Sequence, residues 1–146
     1  MRRRFSPLAR RWVRWVLRYE TSQVVREPGG WSRFGMTVST RAEAEQLRVR
    51  DAARKAFELL ATFARDNPEL IRHQPILAVE MLDFLWHAGP RSLRQARSHP
   101  SGFRQGRLHH YRVVARKPHY ENSGVLRGWM NRIEALRTMM LRGAYG

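Results

Sequence analysis

Charge is laid along this 146-residue chain in three blocks. Residues 1–39 carry nine arginines against two acids, a net +7. Residues 40–90 carry seven basic and eight acidic residues, a net −1, and residues 91–146 carry twelve basic against two acidic, a net +10. Like charges at such density repel unless something neutralises them. The near-neutral middle is therefore the segment best able to close a core, and the two basic ends read as arms or faces that meet a polyanion. The length corresponds to roughly one domain. With 42% hydrophobic residues, including five Trp, six Phe and four Tyr, the chain can build a modest core, which rules out wholesale disorder.

The local patterns predict a mostly α fold. Ser6 and Pro7 are placed to open a helix to Tyr19. Leu8, Trp12, Trp15, Val16 and Tyr19 lie on one face of that helix, and Arg10, Arg11, Arg14 and Arg18 on the other. Residues Glu27–Gly35 read as a loop pinned by Trp31 and Phe34. Thr40 and Glu43 form a capping box for a long helix to about Asp66, stopped by Asn67-Pro68. A short turn at Pro68–Arg72 follows, then an apolar helix from Pro75 to Ala88. The two long helices, about 40–66 and 75–88, are expected to pack as the core hairpin because their connection is short. A short basic helix is expected at Pro90–Ser98, with Arg91, Arg94 and Arg97 at steps of three. Phe103–Tyr120 reads as an extended basic segment with a short strand at Tyr111–Ala115. A last helix, about 123–142, is capped by Asn122 or Ser123 and has an apolar face of Leu126, Trp129, Met130, Ile133, Leu136 and Met140. The chain divides accordingly into a basic N-terminal helix and loop (1–39), a helical core (40–90), a basic extended arm (91–122) and a C-terminal helix (123–146).

Several chemistries are excluded by residue type. The chain has no Cys, so disulfides, thiolate nucleophiles, Cys-ligated zinc and cysteine-held clusters are out. The most apolar stretch, Ile76–Trp86, is broken by Glu80 and Asp83, so no transmembrane helix is expected. Gly-rich phosphate loops, Gly-x-Ser-x-Gly elbows and His-Glu-x-x-His are missing. His99, His109, His110 and His119 match no zinc spacing. Glu80, Asp83 and His87 share a helix face at i, i+3 and i+7. A carboxylate pair for chemistry is one reading; the simpler one is a polar stripe that pairs with arginines of the basic ends. A helix-turn-helix over 76–98 is weakened by Pro90 and the short second helix. Neither an enzyme, a cofactor nor a small-molecule substrate is expected.

The basic residues themselves point to phosphate. All but Lys55 and Lys117 are arginines, whose planar fork binds phosphate bidentately and stacks on bases. GC-rich codon usage accounts for the Arg:Lys ratio equally well, but not for the net +16. The 103–120 segment contains no acid. It interleaves Arg104, Arg107, Arg112, Arg116 and Lys117 with Phe103, His109, His110, Tyr111, His119 and Tyr120. Cations for phosphates beside rings for unpaired bases are what an RNA-contacting arm needs. The expected RNA contacts are thus Arg10, Arg11, Arg14 and Arg18, then Arg91, Arg94 and Arg97, then these residues of 104–120.

The expected role is a structural RNA-binding subunit of a large ribonucleoprotein, with rRNA and neighbouring proteins as partners. A mitochondrial ribosome is the best single expectation. Residues 1–19 resemble a mitochondrial import segment, being amphipathic, rich in Arg and free of acids. The segment reads equally as a retained import signal or an RNA-facing helix; a third, lesser reading is a membrane-surface helix touching lipid through residues 7–19. The last option supports the alternative role, an accessory non-catalytic subunit of a mitochondrial inner-membrane respiratory or ATP synthase complex. Either role places the chain in the mitochondrion, on the matrix side.

Overall fold

The computed structural model describes residues 2–19, 25–27, 30–33, 36–38 and 41–145. The protein is mostly helical, with seven α-helices among the described residues: α1 (Arg2–Tyr19), α2 (Arg41–Asp66), α3 (Pro68–His73), α4 (Pro75–Ala88), α5 (Pro90–Arg97), α6 (Phe103–Ala115) and α7 (Val125–Tyr145). A three-stranded antiparallel meander, β1 (Val25–Glu27), β2 (Gly30–Arg33) and β3 (Met36–Val38), links α1 to α2. Val25 pairs with Ser32, and Trp31 with Val38. The 27–35 segment is therefore not a loop throughout. Strands of three or four residues are too short to declare a two-residue period, and Gly and Pro between them dominate the local pattern. Thr40 and Phe34, and the side chains of Tyr19 and Trp31, lie outside the described residues.

α4 is the axis of the fold. Seven consecutive residues, Ala78 to Phe84, are buried. At 3.6 residues per turn, that run covers every direction around a helix. A helix so apolar all round has to be enclosed. α1, α2 and α3 pack on it from the N-terminal half of the chain and α5 from the C-terminal half, while α7 packs on α1 and on α6. The core thus joins Trp12, Val16, Val79, Leu82, Phe84, Leu136 and Met140, all nearly or fully buried. Each large apolar side chain buried in this way stabilises by about 1.5–3 kcal/mol. α2 is more peripheral than the expected core hairpin implies: it buries Ala52, Ala56 and Phe63 but leaves Phe57 exposed. The aliphatic and aromatic face of α1 joins the same core.

The α1 helix starts at Arg2, so Pro7 sits inside it and Ser6 is not its cap. As the sixth residue of the helix, Pro7 has no amide to donate to the Arg3 carbonyl one turn back. Asn67 ends α2 as expected, its amide donating to the Phe63 carbonyl at 2.9 Å. Gly89, at φ 93°, ends α4 and leads directly into Pro90 of α5.

The largest departure from expectation is α6. Phe103–Ala115 is helical, with no extended arm and no strand at Tyr111–Ala115. α5 and α6 form a helical hairpin. The two helices come close at Gly106, where an added Cβ would run into the carbonyl oxygen of Ala96. The helical period of 103–115 was hidden because two of its inward positions are a glycine and an arginine. A hydrophobic pattern counts both as solvent-facing.

Candidate functional site

The polar stripe of α4 organises the centre of the molecule. Glu80 is 1% exposed and Asp83 is 4% exposed. Arg104 donates to Glu80 Oε2 through Nε at 3.0 Å and through a second nitrogen, and Arg107 donates to Oε1 at 3.1 Å. Arg137 approaches the same oxygen at 3.5 Å. Asp83 accepts two bonds from Arg132, at 3.2 and 2.9 Å, and one from the Trp12 indole at 3.1 Å. The Arg132 guanidinium also lies 5.1 Å from the Trp15 ring centroid. Buried carboxylates are tolerated only when paired and hydrogen-bonded. Burial alone would raise the Glu80 pKa, but the bonds from Arg104 and the charges of Arg107 and Arg104 outweigh it and hold the carboxyl below its ordinary range. Burial pulls the Arg107 pKa down from its ordinary value, and Glu80 opposes it. The acids are therefore the counter-ions of the core.

Two of the expected RNA contacts lie inside the fold. Arg107 is 4% exposed and locked on Glu80, and Tyr111 is 3% exposed. Tyr111 stacks on Trp129 at 5.0 Å, and its hydroxyl lies 2.8 Å from His87 Nδ1. Burial holds the phenol well above its ordinary pKa. Four rings of the 103–120 segment are interior or partly covered, while His109 and His119 are exposed. Phe103 packs edge-on against Phe84 at 5.7 Å, His110 against the same ring at 5.4 Å, and Tyr120 against Trp129 at 5.5 Å. Burial also lowers the His110 pKa, helped by Lys117 and His109, so that ring favours its neutral form. An acid-free aromatic and basic stretch looks the same in sequence whether its rings meet bases or meet a core. Here a core claims most of them.

The remaining predicted residues fall on two outer faces. Arg10, Arg14 and Arg18 are exposed along α1, with Arg11 half-buried beside them. On the α5–α6 hairpin, Arg91, Arg94, Arg97, His109, Arg112 and Arg116 are exposed, followed by Lys117 and His119. His109, Arg112 and Arg116 recur at helical spacing on the side of α6 away from the core. Arg97 donates to Asn67 Oδ1 at 3.0 Å, and Arg104 is half-exposed while bonded to Glu80. Sequence reasoning missed Arg132 and Arg137. Both flank the apolar stripe of α7, where a cation turned inward meets whatever acid the core holds.

Among the described residues, no three His, Cys, Asp or Glu side chains are grouped to hold a metal ion. Also among them, no helix is long and apolar enough to cross a membrane. Compared with known protein families, with curated proteins and with solved structures, the chain gives no significant match.

Proposed function

We propose that this protein is a structural RNA-binding subunit of a large ribonucleoprotein, and that a mitochondrial ribosome is the particle its composition fits best. The observation that carries this reading is the cation excess left after the core has used its share. Arg104, Arg107, Arg132 and Arg137 neutralise Glu80 and Asp83. Arg10, Arg14 and Arg18 on α1, and Arg91, Arg94, Arg112, Arg116 and Lys117 on the α5–α6 side, remain solvent-exposed. Among the described residues, none of these eight has a carboxylate within 4.0 Å. Such faces bind phosphates and lose affinity steeply as salt rises. The folded core holds the two faces apart, which suits a wedge between RNA segments.

The inner-membrane alternative relied on Trp12 and Trp15 lying at a lipid interface. Both are buried against α4 and α7, so α1 would have to leave the core to present them. The test is a gel-shift titration with structured RNA at about 150 mM salt, the physiological range, joined to sedimentation of the native protein with and without RNase. Binding, and co-migration with a ribosome-sized particle that collapses on RNase treatment, are expected. No affinity for RNA, with migration in a detergent-solubilised complex indifferent to RNase, would overturn the reading.

A further inference from the structure

Among the described Phe, Tyr and Trp residues, Phe57 alone stands exposed, at 52%. It projects from α2 one position beyond the buried Ala56, and it borders a groove lined by Pro7, Arg10, Arg11, Val13 and Arg14 of α1. A single exposed apolar side chain is ordinary on a protein surface. Its surroundings set this one apart. Among the described residues, Arg10, Arg11 and Arg14 have no ion-pair partner and no guanidinium covers the Phe57 ring. An open aromatic face beside three arginines combines the two elements that hold an unpaired nucleotide, a ring for the base and cations for the flanking phosphates.

We infer that the Phe57 groove between α1 and α2 is a binding site for an unpaired nucleotide of RNA. The base stacks on the Phe57 ring, and Arg10, Arg11 and Arg14 hold the phosphates on either side. This rests on the RNA-binding reading and divides its labour. The α5–α6 face, whose Phe103 and Tyr111 rings are buried, takes phosphates. The stacking contact lies on the opposite arm, supplied by a residue of the near-neutral middle.

The test uses the full chain and two RNA probes at about 150 mM salt: a single-stranded adenine hexamer with one 2-aminopurine, and a fully paired duplex. F57A and F57L are compared with F57W, which keeps a stacking face, and with R10Q/R14Q. Circular dichroism and thermal melts confirm that each variant is folded. F57A and F57L should weaken hexamer binding about five- to 150-fold, the span of base–aromatic stacking on truncation. F57W should stay near wild type, and duplex affinity should change less than about twofold in the Phe57 variants, since no ring contact is made to a paired base. R10Q/R14Q should weaken the hexamer as well. Wild-type hexamer affinity in F57A and F57L would overturn the inference while leaving RNA binding standing. Failure of the wild type to bind either probe would overturn the RNA-binding reading itself. Tighter, Phe57-dependent binding of an acidic Leu/Glu helical peptide, with the hexamer unbound, would assign the groove to a protein partner and overturn the inference.

Discussion

Replacing Glu80 by Gln tests whether the core depends on that charge. Glutamine keeps the shape and one acceptor oxygen, but it turns an NH2 group toward guanidinium donors and removes the negative charge. Three arginines lose the Glu80 charge, and they are not equal; Arg137 keeps Glu134 at 3.8 Å. The Arg104 and Arg137 side chains are 49% and 43% exposed and can turn to water. Arg107 is 5% exposed and cannot. The cost is therefore set by one buried, uncompensated guanidinium, about 3–5 kcal/mol. For a domain of this size that lowers the melting temperature by roughly 6–20 °C. Chemical denaturation followed by helical circular dichroism gives the free energy directly. The pH dependence supplies an internal control. The folded carboxyl titrates below its ordinary 4.5, so its contribution is complete above that value and is lost as pH falls through the lower folded one. The gap between wild type and E80Q should narrow as pH falls below 4.5. The E80M/R107M double variant, which removes the buried cation together with its acid, should recover most of the loss. An E80Q protein within about 1 kcal/mol of wild type, well under the 3–5 expected of a broken buried pair, would refute the reasoning. So would a double variant less stable than E80Q.

Other outcomes follow from single contacts. Gly106→Ala drives a Cβ into the Ala96 backbone; an overpacking cost of up to about 3 kcal/mol should exceed the roughly 1 kcal/mol helix-propensity gain, for a net loss of about 1–2 kcal/mol by urea denaturation. Asp83→Asn removes the charge that Arg132 and the Trp12 indole face and should cost about 1–3 kcal/mol with a change in the near-ultraviolet signal of Trp12. Tyr111→Phe keeps the stack on Trp129 but loses the bond to His87, for about 1 kcal/mol in thermal unfolding. Reversing the α6 face with R112E/R116E should abolish RNA binding and leave the melting temperature within a few degrees, because both side chains are exposed.

The helices were legible where one face is apolar without interruption. Asn67-Pro68, Pro75 and Gly89-Pro90 punctuate α2 to α5 as their chemistry requires. The pairing of Glu80 and Asp83 with arginines of the basic end was legible too, since an apolar helix has few other uses for acids in register. α6 was not, because Gly106 and Arg107 point inward and break the apolar period. Which arginines are structural was equally hidden: Arg107 and Arg112 look alike until the fold turns one to Glu80 and the other to water. Phe57 lies outside the apolar stripe of α2 and drew no notice in the sequence, since spacing does not show which exposed ring borders a neighbouring helix.

The partners of α4 come late in the chain. Glu80 and Asp83 emerge from synthesis well before Arg104, Arg107, Arg132 and Arg137, which lie 24 to 57 residues downstream of Glu80. Until α6 and α7 exist, enclosing α4 would bury two carboxylates without cations, at several kcal/mol each. The growing chain is thus held open, with its apolar helix uncommitted, until its last helix is made. A chain ending at residue 98 would be a poor folder for electrostatic reasons, however complete its apolar pattern.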